Sequence, residues 1–440
     1  MNTAGLSLDN IPEFRIPMGF FLTAPWFGIL ASLLLLFSPE VINSRWHPAM
    51  LATVHLLTLG FAASIMIGAM MQVLPVIGSQ PVPAVARLSP WIRGALVGGT
   101  ASLALGFLLM QNILFYLALV LLCGVFLTFL SAVGLALVKV QKPGDSIYCL
   151  RLAALCLLLT VVFGVLQLST YLDFQWLAYS FERTDKHALL GLVGWCLLLV
   201  MGVSFQVIPM FHVAPAFPKW FCRGVTTLLV LLLAMGVFLS DPFATIALVL
   251  LPLVVGFYGC YSLYILHNRK RKLTDYTVRC WQLSFVNLVA ACLLYILGQL
   301  GIEILDRRDQ FHLLLGFGFG LGFVITVMLG MLQKIVPFLM FLHLQRACIH
   351  DPSAFIKLPN MRELLPVSDS KWQFRLHSAT LLTFYLSFFG GNLQYPLVFV
   401  AAAFMLASFS WLFATLYRAN NRYTRNLPRQ KPQQPADSAL

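Results

Sequence analysis

Three of the histidines in this 440-residue chain open related stretches of sequence. Residues 55–75 read HLLTLGFAASIMIGAMMQVLP, residues 187–209 read HALLGLVGWCLLLVMGVSFQVIP, and residues 312–337 read HLLLGFGFGLGFVITVMLGMLQKIVP. His55, His187 and His312 each head a run of glycines and aliphatic residues. Each run closes on Gly-x3-(Gln or Lys)-x2-Pro: Gly68, Gln72 and Pro75, then Gly202, Gln206 and Pro209, then Gly330, Lys334 and Pro337. Neutral imidazole is the commonest protein ligand for haem iron and copper. A histidine in hydrocarbon is costly and ordinarily has a partner or a task. The chemistry these residues point to is therefore metal or haem ligation, with two histidines on facing helices as the simplest arrangement. The plainer alternative is packing, since glycine-rich faces also let helices approach. His187 follows Asp185 and Lys186, and His312 follows Asp309, so both also read as hydrated rim residues. His55 is the strongest candidate, about six residues into its span and ~9 Å below the surface.

The spacing resists a symmetric version of the site. From histidine to closing proline is 20, 22 and 25 residues in the three copies. Aligned without gaps on the closing glycine, His55 falls opposite Leu189 and Phe317. At about 100° per residue the three then do not share one face. His187 and His312 lie within about 60° of each other and His55 points elsewhere, so the three are not equivalent ligands.

The elements that must carry these residues follow from composition. The chain is 60% hydrophobic and 10% charged, against a globular norm of about 25% charged. Such a chain is an integral membrane protein, and runs of ~20 apolar residues without period-2 alternation make its spans helices rather than strands. The expected fold is an all-α membrane protein with twelve transmembrane helices. They lie at about 17–37, 49–74, 93–112, 114–138, 147–169, 187–211, 223–239, 243–266, 280–301, 312–342, 373–391 and 396–417. The related stretches recur every fourth span. This implies three pseudo-threefold four-helix units, about 17–142, 143–272 and 273–417. Residues 1–16 read as a cytoplasmic N-terminal segment, the first span not as a signal peptide, and 418–440 as a polar, Pro- and Gln-rich cytoplasmic tail expected to be disordered. The inner segment from His343 to Trp372 is the longest loop, with room for a short surface helix.

Lysine and arginine fix the expected orientation. With the N-terminus cytoplasmic, inner segments outnumber outer ones in basic residues by about five to one. The net charge of +13 then belongs to loops facing an anionic leaflet, and nucleic acid is not an expected partner. The expected location is a bacterial inner membrane, with both termini cytoplasmic and lipid as the partner. None of the nine cysteines forms a C-x2-C pair, so they read as buried thiols.

Twelve spans in three units, with outer-side histidines on spans 2, 6 and 10, resemble subunit I of the haem–copper oxidases. The wording that carries the resemblance is HPAMLATVHLLTLGF with IMIGAMMQVLPV, GLVGW with VMGVSFQVIPMF, and LGMLQKIVPFLMFLH. It is closer to a shorter, oxidase-like branch, and in outline it is similar to NnrS-type haem and copper membrane proteins. The resemblance implies haem b, with His55 at the place of an axial ligand and His312, on span 10, as its partner. It implies copper at the span-6 histidine, His187, with His47 as a second ligand on the same face. Arg45, Arg183, Arg307 and Arg308 lie on the outer side, where haem propionates would favour bidentate arginine.

The chain departs from the oxidase pattern. His312 is followed by Leu313 and Leu314 rather than completing a histidine pair, and Gly191 stands four residues after His187, where the oxidases carry a tyrosine. Residues 223–239 contain no histidine. The binuclear oxygen-reducing centre is thus not expected, and the protein should not be a terminal oxidase. Proton pumping is not expected either, because no Asp or Glu lies mid-span. Lys334 reads either as snorkelling to the interface or as part of an inner mouth with Gln72 and Gln206. The expected function is haem b binding in electron transfer, in redox or gas (oxygen or nitric oxide) response, or in support of a respiratory-chain or cytochrome partner. The alternatives are a transporter or metal- and haem-handling protein, and a cofactor-free assembly protein.

Overall fold

The structure is a computed structural model that describes residues 11–172, 180–273, 275–302, 308–348 and 355–427. Among these, every regular element is helical and none is a strand. Eleven helices are long and apolar enough to cross a membrane. They are α1 (Arg15–Phe37), α2 (Pro48–Gly78), α3 (Val85–Leu109), α4 (Asn112–Lys139), α5 (Asp145–Tyr171), α6 (Phe181–His212), α7 (Lys219–Phe238), α8 (Phe243–His267), α9 (Tyr276–Gln299), α10 (Asp309–Ala347) and α12 (Gly391–Arg425). The remaining long helix, α11 (Val367–Phe388), has 22 residues. Its first turns carry Asp369, Lys371 and Arg375, which keep its composition below that of the other eleven.

The course of the chain nevertheless carries α11 from one end of the bundle to the other. Near its start, Asp369 lies 3.4 Å from Arg418, late in α12. After its end, Tyr395 early in α12 bonds Asn43, whose neighbour Ser44 bonds Asp309 at the start of α10. Two boundaries differ from the sequence reading. α12 runs to Arg425 rather than stopping near 417, because Ala419 and Tyr423 are buried and Tyr423 packs on Phe14 at 4.6 Å. The long loop read over His343–Trp372 is shortened at both ends by α10 and α11, and holds the short helix Met361–Leu364, capped by Asn360.

Helices α2, α6 and α10 form the centre. Buried residues make up 72%, 67% and 72% of their most apolar stretches, against 56% or less for the other eight spans of that composition. Around them α1, α12, α11, α9, α8, α7, α5, α4 and α3 pack in succession and close a ring, with α1 lying along α12. The seam between those two is filled by Phe14 on Tyr423, Trp26 on Phe413 at 4.9 Å, and the Phe409 ring against Gly28.

Each central helix widens into an eight-residue π-helix: Leu56–Ala63, Leu190–Leu197 and Gly318–Ile325. The three π segments are in register when the copies are aligned on Gly68, Gly202 and Gly330. Such segments add a residue to a turn and recur at functional sites. The glycines follow the same register. Gly60, Gly194 and Gly322 receive Phe27, Cys156 and Asn287, while Gly68, Gly202 and Gly330 receive Phe20, Cys149 and Cys280. A Cβ at any of the six would stand 2.8 Å or less from that side chain. The receiving side chains lie on α1, α5 and α9, the helix before each central one, so the internal repeat extends to how each copy packs.

Candidate metal centre

The ten residues between α1 and α2 hold the starts of the central helices together. Arg45 pairs with Asp185 on α6 at 2.6 Å. Ser44 donates to Asp309 on α10 at 2.9 Å, and Gln310 donates to Asn43 at 3.2 Å. All three candidate histidines therefore lie near one end of the bundle.

Within that end, His55 faces His187. Their ring centroids are 6.5 Å apart and their planes are 21° from parallel. The expected partner of His55 was His312, but the rings against His55 are His187 and, at 5.4 Å, Phe107 of α3. The reason is angular. The two-residue offset between His55 and His187 in the aligned copies is about 200° of helix rotation. Neighbouring members of a ring meet only when one points clockwise and the other anticlockwise, and that offset reverses the direction. In the aligned copies His312 is offset from His187 by about 60° of helix rotation. His312 is half-buried, with Phe311 beside it at 6.2 Å.

Both imidazoles of the pair are held in one tautomer. His55 Nδ1 lies 2.8 Å from the Leu51 carbonyl and His187 Nδ1 lies 3.0 Å from the Thr160 carbonyl. A carbonyl oxygen only accepts, so each Nδ1 carries the proton and each Nε2 carries the lone pair. This is the outer-shell arrangement that orients histidine ligands in metal sites. Gly164 lies under the His187 ring, where a Cβ would stand 3.1 Å from Cε1. Beyond Phe107, the rings of Phe115 and Tyr171 close the wall at 5.5 and 5.6 Å.

His55 and His187 are the residues that would hold a haem iron or a bare metal ion here. Their centroid separation of 6.5 Å is close to the roughly 6.4 Å that two imidazoles sharing one metal would need with metal–nitrogen bonds of about 2.0–2.1 Å. No group of three or more His, Cys, Asp or Glu side chains among the described residues could hold a metal ion. His47 is engaged locally, its Nδ1 accepting from the Ala49 amide at 3.2 Å as the N-cap of α2.

The arginines expected near haem propionates divide. Arg45 is taken by Asp185 and lies over Trp46 at 4.4 Å. Arg183 approaches Gln167 at 3.4 Å. Arg307 lies outside the described residues, and Arg308 is placed only as the start of the helix Arg308–Phe317.

At the other end, Gln72, Gln206 and Lys334 share one register, and each environment differs. Lys334 pairs with Asp275, the N-cap of α9, at 3.2 Å. Burial raises the Asp275 carboxyl, but the Lys334 ammonium and two bonds to Thr277 outweigh it and hold the carboxyl below its ordinary value. The lysine is thus a half-buried ion pair rather than a snorkelling side chain. Gln206 borders a polar pocket of about 160 Å³ with Gly144 and Asp145 at the start of α5. Gln72 is buried with no hydrogen-bond partner for either amide atom, and His212 is likewise buried with both ring nitrogens unpartnered.

Sequence reasoning passed over His377 of α11. It is buried, and its Nε2 lies 2.7 Å from the Thr326 hydroxyl, which itself donates to the Leu321 carbonyl at 3.0 Å. Nε2 therefore donates, and His377 braces the exit of the third π segment. A second polar pair beside that segment joins Tyr385 to Asn287, which fills the Gly322 notch. The signal for His377 was available, since a histidine inside a span asks for a partner.

No protein-family model matches this chain, and no curated protein matches it.

Proposed function

We propose that this chain is an inner-membrane haem b protein of oxidase-like architecture, in which His55 and His187 would hold the haem. It has twelve spans in three four-helix units, with both termini cytoplasmic. The observation that carries the reading is the histidine pair: two near-parallel imidazoles 6.5 Å apart, each with Nδ1 bound to a backbone carbonyl. Two features support the architecture. The π segments and glycine notches repeat in register, and α11 runs the length of the bundle.

Haem iron held there would supply one-electron exchange, suited to electron transfer or to a redox or gas response. The chain's own part is positional. Leu51 and Thr160 hold the tautomers, Gly164 leaves the His187 ring room, and Phe107 with its aromatic neighbours keeps water out. Oxygen reduction and proton pumping are outside this reading, because residues 223–239 contain no histidine and no carboxylate lies mid-span.

Oxidised and dithionite-reduced spectra of the purified protein test it. A reduced haem b α-band, absent from His55→Ala and His187→Ala, is the expected result. A colourless, metal-free protein overturns it in favour of an assembly role. The donor set would equally hold a bare ion, so a colourless protein with one copper or zinc per chain moves the assignment to metal handling. Purified protein given reduced quinol or cytochrome c should take up no oxygen above a haem-free control. Sustained, cyanide-sensitive uptake would restore the oxidase assignment.

A further inference from the structure

Beyond the π segments, toward the Lys334 end, α2, α6 and α10 enclose a cavity of about 70 Å³. Every residue around it is apolar or aromatic. Four methionines face it, Met66 and Met70 from α2 and Met328 and Met331 from α10, with Trp281 of α9 closing one side.

The void has a sequence origin. In the aligned copies Ala69, Val203 and Met331 are equivalent, and all three line the cavity. Alanine on α2 is the short member of the trio, and the methionine and valine opposite do not reach far enough to fill the gap. Close packing is the rule in protein interiors, so a space this size on the central axis is a departure from it.

Water is a poor occupant. At a liquid share of about 30 Å³ each, two waters would fit by volume, but each needs two to four polar partners and the wall offers almost none. Apolar cavities of this kind stay dry and take up apolar solutes. The thioethers and the indole are polarisable and favour a compact, polarisable guest by dispersion.

We propose that the axial cavity is a binding site for a small, uncharged, apolar molecule of diatomic-gas size. The site is separate from His55 and His187 and does not depend on a haem being held there.

Crystals of the full chain pressurised with xenon test the proposal. Xenon should occupy the axis in the wild type and in His55→Ala alike, and occupancy should fall at least about fivefold in Ala69→Phe. If Ala69→Phe does not fold, Ala69→Leu, which adds less bulk, should lower occupancy in the same direction. Three results would overturn the proposal: ordered water on the axis, no xenon there while other sites fill, or occupancy unchanged in a folded Ala69 variant. Stoichiometric silver(I) in place of xenon would also overturn it, and would assign the four methionines to a soft cation.

Discussion

His55 and His187 meet because they are out of phase. Had the two histidines occupied equivalent positions in their helices, they would point the same way round the central ring. A two-residue slip, about 200° of rotation, turns one back toward the other and brings their rings to 6.5 Å. Asymmetry between two copies of a repeat thus creates a site that a symmetric repeat could not.

That geometry makes an unequal forecast for the three histidines. His55→Ala and His187→Ala should each remove haem or metal from the purified protein, and His312→Ala should leave its stoichiometry unchanged. Metal analysis and a haem extract of the three variants decide this. Loss of the cofactor in His312→Ala with retention in His187→Ala would restore the pairing implied by the oxidase resemblance.

A companion change acts without touching a ligand. In Gly164→Val a Cβ would stand 3.1 Å from His187 Cε1 and push the ring from its place. Cofactor affinity should fall about tenfold or more, the usual consequence of disturbing an orienting contact, while the apparent melting temperature of the cofactor-free protein stays within a few degrees. Titration of the apo variant with haemin or copper measures it.

The glycine notches make a packing forecast. Gly194→Leu must displace Cys156 and Leu233 and should cost about 1–3 kcal/mol. Gly134, on α4, has nothing within 4 Å of its Cβ position, so Gly134→Leu should change stability by less than about 0.5 kcal/mol. Thermal unfolding in detergent compares the pair.

The Lys334–Asp275 pair predicts a pH dependence. Asp275 is held below the ordinary carboxylate value of 3.8 in the folded protein. Its contribution is therefore fully present above that value and is lost as pH falls through the lowered one. Acid should destabilise the wild type more steeply than Asp275→Asn below about pH 4. Both side chains are part-exposed, so solvent screening keeps the difference to about 1 kcal/mol. Melting curves from pH 3 to pH 7 show it, and parallel curves would remove the pair from the account.

Topology gives the last forecast. A reporter fused after Lys431 should be cytoplasmic and one inserted at Asp173 periplasmic, as the arginine and lysine bias requires. Both positions lie outside the described residues. Finding both reporters on one side would break the span count.

Much of the frame was legible in the sequence, and the reasons are local. Hydropathy alone located the eleven apolar helices, and the Gly68, Gly202 and Gly330 register marked the central three before any contact was known. α11 was legible from Gln373 onward but not over its first turns, where Asp369 and Lys371 dilute the apolar run. The pairing of His55 was not legible, although its phase was. A helical wheel gives each residue a direction on its own helix, but not the neighbour that direction meets. His377 was missed because nothing repeats around it. The commitment of Lys334 to Asp275 joins residues 59 apart, and no local pattern announces such a pair.

The seam between α1 and α12 bears on how the ring closes. Its contacts join residues far apart in the sequence: the Gly28 notch takes Phe409, and Phe14 takes Tyr423. Until α12 has been made, that face of α1 must meet lipid or another protein instead. A chain cut before residue 391 would leave the ring open at this seam, however well its other helices pack.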